Sequence, residues 1–533
     1  MRDPEQNCER AVPSTGLQER ATRERRILDP GRNCWRVANS KRASVLVDGA
    51  SYFARLEAAL RQSRRSVLIL GWDFDGSIRL RPDVEADRSP PLGSFLRSLV
   101  EERPELEIRI LVWSIAVVHA PGAPIPLLFG ADWQNHPRLR LRLDTHHPIY
   151  AAHHQKMVCI DDALAFVGGI DLTVRRWDTT RHAVDDPARL GADSQRYGPV
   201  HDIQMVVDGE AARSVAKLAR RRWQAATGEL VPVCTDFGAL ASDGEGPPPQ
   251  ENDGNSSRDR KTRLQPVEDR LWIWPPDLPP DFTDTPVAIA RTMPAWGNQP
   301  AICEVGALTA DALASAQRAI YIEAQYMTAP LYGEILAEHL ARPDGPEIVV
   351  LMTHASHGLA ERLVMGSNRD RLIRRLRKAD CHGRLRVYYP CVPAPGGERR
   401  QVLIHSKLII VDDVFLRIGS SNLNNRSIGL DTECDLAIEA RDAETRRTIT
   451  GLRNRLLAEH LDAEPQTVMR AIEREGSLIR AVDVLNCKPR GLTPFEAMTN
   501  EGPSCPAMGT RLLDPIRPFE PLWFLRRKRR RDT

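Results

Sequence analysis

The chain has 533 residues, too many for one ordinary domain and enough for two to four. Apolar residues make up 42% and charged residues 27%, which excludes a largely disordered or fibrous chain. A net charge of +3 is small for this length and argues against a polyanion coat, apart from the terminal run RRKRRR at Arg526–Arg531. No segment approaches the ~18 consecutive apolar residues of a membrane-spanning helix. The ten cysteines form no C-x-x-C pair, which disfavours a zinc ribbon or disulfide scaffold and fits a reducing compartment. Met1–Arg26 is charged and lacks the apolar stretch of a secretory signal.

In chain order, residues 1–30 read as a charged tail, and residues 31–240 as a first α/β half. Helical apolar spacing covers Ala50–Arg61, followed by a strand at Val67–Phe74, a helix at Leu92–Glu101, and strands at Ile108–Trp113 and Leu139–Leu143. A long basic helix, Glu210–Thr227, ends this half. Residues 241–265 are rich in Gly, Pro, Ser and charge and read as a flexible linker or loop. Residues 266–465 repeat the order: helix Ala307–Gln317, strand Ile320–Met327, helix Leu331–Ala341, strands Ile348–Met352 and Leu385–Tyr389, and a closing helix Asp442–His460. Residues 466–533 form a C-terminal extension with a basic tail. Strands alternating with helices predict a layered α/β sheet covered on both faces.

Each half carries one H-x-K-x4-D segment. The first runs from His154 through Lys156 to Asp161; the second runs from His405 through Lys407 to Asp412. Only eight of the 74 basic residues are lysine, and two of them sit here. Residues i and i+2 of a strand share a face, so each His and Lys project together. Small-residue turns follow at equal distance: Gly168-Gly169 in the first half, and Gly419-Ser420-Ser421-Asn422 in the second. Small residues let backbone N–H groups and short side chains approach an anion.

This pattern resembles the phospholipase D superfamily. The blocks Phe166–Asp178 (FVGGIDLTVRRWD), Val200–Ile203 (VHDI), Ile320–Tyr326 (IYIEAQY) and Gly419–Glu433 (GSSNLNNRSIGLDTE) extend the resemblance over roughly Arg32 to His460. The family often has Trp where this chain has Val200. The resemblance implies two tandem α/β sandwich halves with pseudo-twofold symmetry and an active site at their interface. It implies phosphodiester exchange through a covalent phosphohistidine. A phosphodiester repels anionic nucleophiles, and a neutral imidazole avoids that repulsion while splitting one displacement into two.

By this analogy His154 is the nucleophile and His405 the general acid/base, with the reverse left open by the near symmetry. Lys156, Lys407 and Asn422 bind the non-bridging oxygens. Asp202 and Glu433 accept from the far nitrogens of His154 and His405 respectively. Ser420 and Gly169 support the site. Asp161 and Asp412 complete the catalytic motifs, and are expected to stabilise strand and turn rather than touch substrate. Asp171 replaces Asn422 in the first half; a carboxylate there repels phosphate, so it should point away or pair with a cation.

No cofactor is implied. His146, His147, His153 and His154 cluster, but without Cys or Glu at ligand spacing they do not read as a metal site. The expected activity is hydrolysis or transphosphatidylation of glycerophospholipids, with a phospholipid membrane surface as partner and no nucleic acid. A monomer carrying both motifs is expected, cytoplasmic and peripheral on the inner membrane face, in the style of a catalytic-core bacterial phospholipase D. The alternatives are a cardiolipin synthase-like phosphatidyltransferase, a nucleic-acid phosphodiesterase of the superfamily, and a non-catalytic phospholipid binder. The Pro393–Gly397 string reads as a loop, and its place before the second motif also suits a rim over the pocket. Phe519–Leu525 and the basic run after it read either as a solvated tail or as an interfacial anchor.

Overall fold

The computed structural model describes residues 26–114, 131–148, 150–191, 195–234, 273–354, 366–496, 503–505 and 514–518. The linker at 241–265, the N-terminal tail before residue 26 and the basic terminal run lie outside the described residues.

The two halves share one strand order. From its outer edge, the first sheet runs Leu139–Asp144, Glu107–Trp113, Ser66–Gly71, Met157–Ile160, Leu164–Gly168, Ile203–Asp208 and Arg36–Val47. The second runs Leu385–Pro393, Glu347–Met352, Ala319–Ala324, Lys407–Val411, Phe415–Gly419, Glu433–Glu439 and Phe282–Met293. In each, the first two pairings are parallel and the rest antiparallel. The two innermost strands, Arg36–Val47 and Phe282–Met293, pair antiparallel, with Arg36 opposite Ile289 and Ala43 opposite Phe282. The sheet is therefore continuous across the seam. Among the described residues these pairings run from edge to edge and do not close into a barrel.

The central strands are near-continuous apolar runs because both faces are covered. In Ser66–Gly71, Leu68 and Leu70 face one core while Val67 and Ile69 face another. The first of these cores spans both halves and is covered by helices Gly209–Thr227 and Ala443–His460, which follow the last strand of each half. The outer faces have separate cores. Helices Asp48–Leu60 and Leu92–Glu102 cover the first; Glu304–Ala314, Pro330–Ala341 and Ser367–Ala379 cover the second.

The seam-facing helix Ala443–His460 starts where the Asp442 side chain accepts from the Thr445 N–H at 2.7 Å. It buries Ile449, Leu452, Leu456 and Leu457, spaced as one helical face. Each such side chain contributes roughly 1.5–3 kcal/mol.

The C-terminal extension continues the second half. Helices Pro465–Glu475 and Leu478–Leu485 lead to strand Gly491–Pro494, which pairs with Tyr388–Cys391. The Pro393–Gly397 segment contains a single 3-10 turn, Pro395–Gly397.

Candidate active site

Each motif histidine stands just before a buried strand, Met157–Ile160 or Lys407–Val411, at the seam. Both strands end in an Asp-Asp turn, and all four aspartates have positive φ (Asp161 52°, Asp162 53°, Asp412 53°, Asp413 58°). Asp tolerates this conformation better than most residues.

The first aspartate of each turn reaches back to the neighbouring strand. Asp161 accepts from the backbone N–H of Arg64, Arg65 and Ser66 at 2.7–2.8 Å. Asp412 accepts from Gln317, Arg318 and Ala319 at 2.7–2.8 Å. The second aspartate ties the turn to the closing helix, through Asp162–Arg220 and Asp413–Arg453. Asp161 and Asp412 are thus occupied by backbone amides. They hold the strand that presents His and Lys in each motif.

The histidines are clamped across the seam. His154 Nδ1 lies 3.0 Å from Glu433 Oε2, and His405 Nδ1 lies 2.6 Å from Asp202 Oδ2. This reverses the expected pairing, in which Asp202 served His154 and Glu433 served His405. The physical reason lies in the strand order. Asp202 and Glu433 begin or precede strands near the middle of the continuous sheet, so each carboxylate projects at the seam toward the opposite half. The backbone follows the same rule. The His154 N–H donates to Thr432 O at 3.0 Å, and the His405 N–H donates to His201 O at 2.8 Å. A dipeptide of one half, carbonyl then carboxylate, therefore grips the motif histidine of the other.

Glu433 is fully buried and also accepts from Ser420 Oγ at 2.5 Å and Ser427 Oγ at 2.7 Å. Asp202 also accepts from the Ile203 N–H at 2.8 Å. The expected role of the small-residue turns needs revision. The Gly169 N–H donates to Ile203 O at 3.1 Å, and the Ser420 N–H donates to Cys434 O at 3.2 Å, so both amides are spent within the sheet. Smallness serves close packing instead: a Cβ on Gly169 would sit 2.1 Å from Asp202 Oδ1. Ser420 orients Glu433.

Lys156 Nζ pairs with Asp171 Oδ2 at 3.1 Å, and Asp171 Oδ1 accepts from the Trp72 N–H at 2.8 Å. Lys407 Nζ contacts Gln325 Oε1 at 3.3 Å. The Asn422 N–H donates to Ser427 Oγ at 3.0 Å, while its buried Oδ1 has no partner among the described residues. Thr432, His201, Ser427 and Gln325 are not singled out by any sequence pattern. Only the neighbours of Asp202 and Glu433 in the VHDI and DTE blocks hint at the first two.

Burial pushes both motif histidines well below their ordinary pKa, and the Lys156 and Lys407 ammoniums push the same way. Both rings are neutral at pH 7. Burial also lowers Lys407 to about 7, with Lys156 adding repulsion and Asp202 opposing. Burial raises Asp202 and Glu433, although the lysines counter it. The result is a desolvated site in which two lysines and three carboxylates surround two uncharged imidazoles. His154 is the more open of the two, with 17% of its side chain exposed against 8% for His405.

The histidines of the 146–154 stretch do not converge as metal ligands among the described residues. His153 Nδ1 lies 2.9 Å from Asp144 Oδ2, and His147 Nδ1 lies 2.8 Å from Pro148 O.

The family described as "Cardiolipin synthase, PLD-like domain" matches residues 310–450. Phospholipase D1 of Saccharomyces cerevisiae is 22% identical over 81% of the chain and 29% of the relative. Phospholipase D A of Dictyostelium discoideum is 24% identical over 79% of the chain and 36% of the relative. The chain thus spans about a third of the length of these relatives. The crystal structure of phosphatidylserine synthase from Haemophilus influenzae shares the fold, with TM-score 0.50 and 13% identity over 84% of this chain and 97% of that one.

Proposed function

Because this chain belongs to the phospholipase D superfamily, we propose that it cleaves glycerophospholipids to phosphatidic acid and a free head-group alcohol through a phosphohistidine. The observation that carries this reading is the pair of neutral histidines, each held at Nδ1 by a buried carboxylate of the other half. Fixing Nδ1 as the proton-bearing nitrogen leaves the Nε2 lone pair for chemistry.

In the first step His154 Nε2 attacks phosphorus, and the bond from phosphorus to the head-group oxygen breaks. His405, which takes up a solvent proton at Nε2 as the anionic substrate binds, gives that proton to the leaving oxygen. The substrate phosphate brings negative charge into a desolvated site, which raises the affinity of His405 for the proton it must donate. Lys156, Lys407 and Asn422 meet the non-bridging oxygens as charge redistributes. In the second step His405 Nε2 takes a proton from water. The water oxygen attacks phosphorus, the P–N bond breaks, and neutral His154 is restored. An alcohol in place of water gives head-group exchange, the reaction type suggested by the cardiolipin synthase and phosphatidylserine synthase names among the matches.

The roles of His154 and His405 follow the more open position of His154 and the tighter clamp on His405. The partner in this reading is a phospholipid surface approached from outside: among the described residues no helix is long and apolar enough to cross a membrane. One chain supplies both motifs, so a monomer suffices.

The test offers phosphatidylcholine and phosphatidylethanolamine vesicles beside single-stranded DNA, with products identified by mass. Phosphatidic acid with free choline or ethanolamine is expected. Cleavage of DNA alone, or tight vesicle binding with no release, overturns the proposal. Trapping with labelled short-chain lipid tests the roles: label kept by His154→Ala and lost by His405→Ala reverses them.

A further inference from the structure

A second buried cluster lies behind His405. His201 has carboxylates at both ring nitrogens: Nδ1 is 3.0 Å from Glu459 Oε1 and 3.0 Å from Asp48 Oδ1, and Nε2 is 2.9 Å from Glu323 Oε2. His182 repeats this, with Nδ1 2.9 Å from Asp178 Oδ2 and Nε2 2.9 Å from Glu459 Oε1. Both rings are fully buried. A neutral imidazole has one N–H and one lone pair. A lone pair aimed at a carboxylate across 2.9–3.0 Å is repulsive, so each ring donates from both nitrogens and is positively charged.

The surrounding charge favours this, since the carboxylates outnumber the cations even with both rings charged. Asp48, Asp178, Glu323 and Glu459 bring four negative charges. The two rings and Arg189, which donates to Asp178 Oδ1 at 2.8 Å, bring three positive. Tyr321 Oη donates to Glu323 Oε1 at 2.6 Å, and His460 Nε2 lies 3.5 Å from the same oxygen. Burial by itself opposes charging these rings. The carboxylates outweigh it and raise both, His182 to about 9.

The cluster touches the reaction centre through three bonds. His201 O accepts the His405 N–H. The next residue, Asp202, grips the His405 ring. Ser406, between the motif His and Lys, donates to Glu323 Oε2 at 2.9 Å. Among the described residues the other half has no counterpart. Strand register places Thr432, Leu70 and Gln155 where His201, Glu323 and Ser406 stand.

We propose that His201, an imidazolium clamped between Glu323 of one side and Glu459 and Asp48 of the other, is a positioning residue that locks Asp202 and thereby fixes the ring of His405. This charged lock makes two nearly symmetric histidines unequal. The inference rests on the reading that His405 moves the proton.

The test compares the full chain with His201→Gln and Glu459→Gln. In ¹⁵N-histidine NMR at pH 8, two histidines of the wild type are expected to carry protons on both ring nitrogens, and His201→Gln to lose one of them. In head-group release, kcat should fall on the order of tenfold or more with KM within about twofold. The pH limb reporting His405 should move to higher pH, since a nearby positive charge is gone. Glu459→Gln, the milder change, should lower kcat by less and should not move that limb upward, since it removes a negative charge.

Neutral tautomers at pH 8, or an unchanged kcat and pH profile in folded His201→Gln, overturn the proposal. So does a stoichiometric divalent metal in the purified protein, because it would supply the same charge with neutral rings. Absence of release by the wild type strikes the reading of the site instead; the NMR arm still decides the lock.

Discussion

His154 Nδ1 lies 3.0 Å from Oε2 of Glu433, a residue 279 positions away on the other half. Its counterpart, His405 Nδ1 to Asp202 Oδ2, measures 2.6 Å. Each half therefore supplies one motif histidine and the carboxylate that orients the other, and neither half alone contains an oriented motif imidazole.

Glu433→Gln keeps the shape of the clamp and removes its charge. The amide can present an N–H to Nδ1 and stabilise the wrong tautomer. We expect kcat to fall on the order of 10²–10⁴-fold with the fold intact. Rapid-quench labelling should show slower formation of the covalent intermediate. A kcat within about threefold of wild type, with normal circular dichroism, would show that the carboxylate does not act on the ring.

Lys407→Met should abolish turnover yet stabilise the protein near neutrality. The folded pKa of Lys407 is about 7, while an unfolded lysine titrates near 10.4. The unfolded state therefore binds more protons between these values, and the stability penalty is largest below pH 7 and fades toward pH 10. In urea unfolding the variant should gain a few kcal/mol at pH 7, at about 1.4 kcal/mol for each tenfold loss of proton affinity on folding. That gain should shrink as pH rises. An advantage that stays flat with pH would contradict the burial of this cation.

Asp171→Asn removes the partner of Lys156 while keeping an oxygen for the Trp72 amide. The freed ammonium should bind anions more tightly. Inorganic phosphate should inhibit the variant at lower concentration than wild type, by about 3–10-fold for 0.7–1.4 kcal/mol of recovered charge. Unchanged inhibition would place the Lys156 ammonium off the phosphate path.

Gly169→Ala places a methyl group 2.1 Å from Asp202 Oδ1, against a carboxylate fixed by His405 and the Ile203 amide. We expect a loss of about 1–3 kcal/mol in stability and a fall in kcat larger than that for Gly198→Ala, where the added Cβ meets nothing within 4 Å. Thermal melts and initial rates on the pair of variants check this, and equal effects at both positions would refute it.

The sheet-forming segments are legible because their periodicity is strong. Strands such as Ile348–Met352 and helices such as Asp442–His460 lie within a few residues of their sequence expectation. The long strands Arg36–Val47 and Phe282–Met293 carry no such signal. Their alternation is broken by residues such as Ser40, Arg42 and Thr285, and their pairing links segments with no local pattern between them. The site is legible where chemistry is written in a spacing, as in His154 and Lys156 or His405 and Lys407. It is not legible where it depends on the seam. Which carboxylate serves which histidine, and the use of Ser420 on Glu433, follow from how two halves meet, and no local pattern encodes that. The ion pair Lys156–Asp171 marks the one place where the two motif lysines differ in their nearest charge.

The antiparallel pairing of Arg36–Val47 with Phe282–Met293 also sets the mechanics of turnover. Two lobes joined only by a linker could part like a hinge to admit a bulky lipid. Here the lobes share a backbone ladder and an uninterrupted core, so opening the seam means tearing a sheet. The two motif histidines, one from each lobe, are therefore held at a fixed separation. The molecule behaves as a permanently fused pair whose reaction gap is set by strand register.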